Sequence, residues 1–143
     1  DTLLPVGMGA FALAYVGFGS LFLLSFGEFS FLVICAILVT LTVSIFAFRS
    51  FDQVPAKLGG PVVLFIIILN YIVASGVAAA VGTGFPAGLP FLLGPVSLFV
   101  SDTLIALRKF RSRPPFSEAA YIPSMFSTYY FGIFMIAVGA FLL

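Results

Sequence analysis

Phe29-Ser-Phe-Leu-Val-Ile-Cys-Ala-Ile-Leu-Val-Thr-Leu-Thr-Val-Ser-Ile-Phe-Ala-Phe48 runs twenty residues without a charge and is closed by Arg49. As an α-helix that stretch rises about 30 Å, the thickness of the hydrocarbon core of a bilayer. Its apolar residues do not alternate with polar ones, as a lipid-exposed barrel strand would require. In lipid the backbone must satisfy its own hydrogen bonds, so the run is a transmembrane helix.

Only Gly27-Glu28 separates this run from an earlier one, which predicts a tight helical hairpin at one membrane face. Downstream, Gly82-Thr-Gly-Phe-Pro-Ala-Gly-Leu-Pro90 supplies the breakers between two further apolar stretches. The fold class expected is therefore all-α, a polytopic transmembrane helix bundle of five spans at about 3–26, 29–48, 61–81, 91–107 and 122–143. They form a single transmembrane domain over 1–143. Composition agrees: 62% of the residues are hydrophobic and 8% charged, with a mean hydropathy of +1.29, against about 25% charged in soluble domains.

Charge tests the count independently. With five spans, the loops after the second and fourth share a side with the N-terminus, and these loops carry Arg49, Lys57, Arg108, Lys109, Arg111 and Arg113. All six basic residues then fall on one side, which is cytoplasmic, or matrix or stromal in an organelle. One span more or fewer breaks the pattern. Six cations scattered in short loops make no footprint for nucleic acid, so no nucleic-acid partner is expected. Membrane lipids and other transmembrane subunits are the partners such a surface suits.

Cys35 stands alone and there is no His, so neither a disulfide framework nor a metal or haem site is expected, and no cofactor. Cys35 reads as a small buried hydrophobe. The chain opens at Asp1 with no basic segment ahead of a short apolar one, so it carries no signal-peptide pattern and is expected to extend upstream. In the third span, Ala74, Ala78 and Gly82, with Gly76 and Ala80, place small residues at four-residue spacing, the pattern that allows close helix packing. Asn70 and Ser75 in the same span are candidates for interhelical hydrogen bonds, and Glu28 for a solvated hairpin position.

One residue does not fit a purely apolar bundle. Asp102 interrupts the fourth apolar run, where a charge costs roughly 2.5 to 3.5 kcal/mol on insertion scales and so marks a functional site by default. It lies six residues before Arg108, about 9 Å below the basic end of its helix. Ser101 precedes it and Ser97 lies one turn earlier. The fifth span opens from the same side with Ser127-Thr-Tyr-Tyr130, which puts Tyr129 about 10 Å deep and within reach of Asp102 as a hydrogen-bond partner. A blander arrangement pairs Asp102 with Lys109 or Arg108 at the interface.

Gly94-Pro-Val-Ser-Leu-Phe-Val-Ser-Asp-Thr-Leu-Ile-Ala-Leu-Arg-Lys-Phe110, followed by Pro115-Phe-Ser117 and Ser127-Thr-Tyr-Tyr130, resembles the C-terminal signature of the lysoplasmalogenase-like, or YhhN, membrane protein family. In the first span, Gly7-xxx-Phe11-xxx-Tyr15-xx-Phe18 is similar to the family's Gly-xxx-Phe-xxx-His-xx-Tyr. Tyr15 stands where the family has His, and Phe18 where it has Tyr.

The resemblance implies several things. The family fold has about eight helices, so this chain corresponds to its last five. The family reaction is hydrolysis of the vinyl ether bond of lysoplasmalogens, and Asp102 corresponds to one of two carboxylates, a candidate catalytic acid or base, with Ser101, Ser127, Tyr129 and Tyr15 in support. The second carboxylate belongs to an upstream Gly-Asp motif. Asp1-Thr-Leu-Leu4 is superficially similar to it but stands too close to Gly7, and the role is not transferred. Two functional classes stay open: an ether-lipid hydrolase, and a non-catalytic accessory subunit of a larger membrane complex.

Overall fold

The structure is a computed structural model that describes residues 3–113 and 115–142. Five α-helices run in sequence: α1 (Leu3–Phe26), α2 (Phe31–Arg49), α3 (Gly59–Thr83), α4 (Leu89–Phe110) and α5 (Glu118–Phe141). A 3-10 turn, Ala56–Leu58, leads into α3. All five helices are long and apolar enough to cross a membrane, and there is no strand among the described residues. Asp1 lies outside them.

The helices differ from the apolar runs at their polar ends. At α2 the first helical residue is Phe31, because Ser30 takes the extended N-cap conformation at φ −139° and ψ 166°. At α5 the helix begins one turn before Ile122, with Glu118 in the first turn, where a carboxylate offsets the exposed N–H groups. At α4 it continues through Arg108 and Lys109, cations favoured in a last turn for the converse reason.

The central element is α3, which packs against α1, α2 and α4, while α5 packs on α4. Half of the α3 span is buried inside the bundle, compared with 11% of α2, whose outer face is left to lipid. The small-residue pattern explains the difference. A Cβ on Gly76 would lie 2.3 Å from the Phe91 carbonyl oxygen and 2.7 Å from Pro95 Cγ. Pro95 sits inside α4 and offers no N–H to the Phe91 carbonyl one turn back, so α3 closes on α4 at the turn where α4 is irregular. Below this contact Phe91 meets Phe22 edge-on at 5.0 Å and Phe26 at 5.3 Å.

The two basic loops meet at one end of the bundle. The backbone N–H groups of Asp52 and Gln53 both donate to the Phe110 carbonyl at 3.0 Å. The Asp52 carboxylate accepts the Ser112 N–H at 2.8 Å and the Ser112 hydroxyl. At the opposite end the Glu28 N–H donates to the Ala78 carbonyl at 3.1 Å, tying the α1–α2 hairpin to α3 while the Glu28 side chain is exposed. Cys35 is half-buried rather than enclosed, because α2 turns most of its surface outward.

Candidate functional site

Asp102 is buried, and its partner is Tyr15. The Tyr15 hydroxyl donates to Asp102 Oδ2 at 2.7 Å, joining α1 to α4, with the two residues 2% and 9% exposed. This corrects the expectation that Tyr129 would hold the carboxylate. Counting along the axes puts the Tyr15 backbone about 18 Å from the start of α1 and Asp102 about 12 Å from the end of α4, an apparent mismatch in depth. Side chains, however, lean toward the N-terminus of their own helix. In this antiparallel pair Tyr15 leans toward the basic end and Asp102 away from it, so the groups meet between the two levels.

Asp102 lines a cavity of about 450 Å³ near the basic end, and Tyr15 bonds it from behind that wall. Gly7, Met8 and Phe11 of α1, Ser44 and Ala47 of α2, and Val62, Phe65 and Leu69 of α3 line it, with Asp102, Thr103 and Lys109 of α4 and Tyr129 of α5. Phe51 and Phe110, which the loop contacts hold 5.5 Å apart, complete it at the loop end. The Tyr129 ring meets Phe11 edge-on at 6.1 Å, so Tyr129 shapes the cavity without bonding the carboxylate.

The other candidates separate. Ser101 is fully buried, but its hydroxyl donates to the Met125 carbonyl at 3.2 Å and pins α4 to α5. Ser127 is exposed on α5 and does not join the cavity wall. Arg108 pairs with Glu118 at 2.8 Å, which takes it away from Asp102. Asn70 makes the expected bond between helices, its Nδ2 donating to Ser44 Oγ at 3.0 Å. Ser75 does not, since its hydroxyl returns to the Tyr71 carbonyl on its own helix. Phe18 is on the outer surface against Phe22, so of the two departures from the family pattern only Tyr15 falls in the site.

Charge placement in the sequence gives no sign of the contribution of α2. Thr40 and Ser44 are hydroxyls one turn apart in α2, with the exposed Thr42 between them, and with Val33 they form its buried positions. Among the described residues no group of three or more His, Cys, Asp or Glu could hold a metal.

Fold and site together define a multi-pass helical membrane protein in which a buried carboxyl, bonded by a phenol behind it, lines an apolar cavity. The chain belongs to the YhhN family, whose family model matches residues 1–140, and at that level it is a lysoplasmalogenase-like membrane protein. Comparison with curated proteins and with solved structures finds no match for it.

Proposed function

We propose that the cavity binds a single-chain ether lipid and that the protein hydrolyses its vinyl ether bond at Asp102. The observation that carries this reading is the hydrogen bond from Tyr15 to Asp102 Oδ2 at the cavity wall. It engages one carboxyl oxygen and leaves the other, Oδ1, to work on a ligand. Tyr15 thus keeps a hydrogen-bonding partner on the carboxyl at the position where the family has His.

The chemistry needs a proton delivered to carbon. Asp102 gives the proton on Oδ1 to the outer carbon of the enol ether, and the oxygen-bearing carbon becomes an oxocarbenium ion beside the new carboxylate. Water adds to that ion while the carboxylate takes back a proton, and the hemiacetal collapses to an aldehyde and the freed glycerol hydroxyl. One water is consumed and Asp102 ends as it began. Such a cycle follows the acid-then-base logic of a retaining glycosidase but uses one carboxyl for both steps. Tyr15 is a positioning residue, holding Oδ2 so that Oδ1 points to the cavity.

The largely apolar wall supports a hydrocarbon chain as occupant, and Lys109 at the loop end supports an anionic head group there. In this reading the loop end faces the cytoplasm or its organellar equivalent. Purified protein given lysoplasmenylethanolamine should release fatty aldehyde and glycerophosphoethanolamine. The matching alkyl ether has no double bond to protonate and should stay intact. Equal cleavage of both ethers, or of neither, would overturn the assignment.

A further inference from the structure

Six hydroxyls inside these helices spend their proton on the carbonyl one turn back. Thr40, Thr42, Ser75, Thr83, Thr103 and Thr128 all do so, at 2.7 to 2.8 Å. Ser44 does not. It is 6% exposed, it lines the cavity, and its one hydrogen bond among the described residues is the one it accepts from Asn70 Nδ2. The Ser44 hydroxyl therefore has a proton left to give.

Asn70 deepens the anomaly. It is 9% exposed, and both hydrogens of its amide are engaged, one by Ser44 and one by the Ile66 carbonyl at 2.8 Å. Its Oδ1 is buried with no partner. An unsatisfied acceptor in such a place is costly, in an apolar stretch where Ile or Leu would have packed without that cost. An unspent donor and an orphaned acceptor stand side by side, one of them in the cavity wall.

We infer that Ser44, held by Asn70, is a second polar subsite of the cavity that recognises an uncharged hydroxyl on the glycerol part of the bound lipid. A ligand hydroxyl in the cavity accepts from Ser44 Oγ and carries a proton of its own, which a turn of the Asn70 amide would let Oδ1 accept. The inference rests on the cavity being the lipid site proposed above. It adds a residue pair that selects a free glycerol hydroxyl over its absence, because a site built to bond a hydroxyl rejects the analogue that lacks it. Asn70 is a positioning residue here: its Nδ2 occupies a lone pair of Ser44 and turns the Ser44 proton elsewhere.

The test uses two uncleavable lipids and the full chain in lipid nanodiscs. One is a hexadecyl ether of glycerophosphoethanolamine with the middle hydroxyl free; the other is the same lipid built on propanediol, without that hydroxyl. Wild-type protein should bind the glycerol lipid about tenfold more tightly, the worth of one good hydrogen bond. Ser44→Ala should abolish the preference by weakening the glycerol lipid alone, Ser44→Thr should retain it, and Asn70→Leu should shrink it with the propanediol lipid unaffected.

Equal affinity of wild-type protein for the two lipids, or an undiminished preference in Ser44→Ala, would overturn the inference and leave the lipid site standing. Binding of neither lipid would remove the lipid site and this inference together. Ser44→Ala deletes a single oxygen from the cavity wall, so a folding failure is not expected to mask the result.

Discussion

Tyr15 and Asp102 share one hydrogen bond but carry different consequences when changed. Removing the Tyr15 hydroxyl leaves Asp102 in place and loses only its orientation, so Tyr15→Phe should lower turnover roughly tenfold, about the value of one such bond. The Michaelis constant should move little, since the phenol does not touch the lipid. A variant as fast as wild type would show that Oδ2 needs no anchor. Asp102 was legible in the sequence because a carboxylate in an apolar run is too costly to insert without a role that offsets the cost. Tyr15 was not legible as its partner, because depth counted along the axis ignores the opposite lean of side chains in antiparallel helices. Tyr129, level with Asp102 by that count, shapes the cavity instead.

At the scale of elements, the close approach of α3 to α4 rests on the missing side chain of Gly76. Gly76→Ala places a methyl 2.3 Å from the Phe91 carbonyl oxygen, an overpacking that should cost about 1 to 3 kcal/mol. Gly17, with nothing within 4 Å of its would-be Cβ, is the control. Thermal denaturation in detergent should show a lowered midpoint for Gly76→Ala and none for Gly17→Ala; equal midpoints would contradict the close packing of α3 on α4. The loop contact makes a prediction in pH. The two bonds from Ser112 hold the Asp52 carboxyl below its ordinary value, which is about 3.9 in short peptides. A folded pKa below the unfolded one makes the tie fully present above about pH 4 and lost as pH falls through the lowered value. Hydrogen exchange at the Ser112 amide, taken relative to a free amide, should stay protected from neutral pH to about 4 and lose protection in stronger acid. Asp52→Asn should lower that protection at neutral pH, and protection unchanged by the substitution would rule the tie out.

For the whole molecule, hydropathy and the placement of six cations were enough to count five spans and to bring both basic loops to one end. Which helix lies at the centre was harder to read. α1, α2 and α3 are apolar on every side, so no hydrophobic face marks their inner surface; in lipid the inward positions are distinguished by small and hydroxyl side chains instead. Ala74, Ala78, Gly82 and Gly76 announced α3 in that way. Thr40 and Ser44 carried the same signal for α2, and only the fold shows that they face inward. The cavity joins residues from all five helices and a loop, which no single stretch of sequence displays. We propose that this assembled site hydrolyses a vinyl ether through Asp102. The most direct test is the rate of aldehyde release from lysoplasmenylethanolamine by wild-type protein and by Asp102→Asn, with both variants confirmed folded by their denaturation midpoints. Loss of the acid should slow release by about a hundredfold to ten-thousandfold; release at the same rate from both, or none from folded wild-type protein, would contradict that claim.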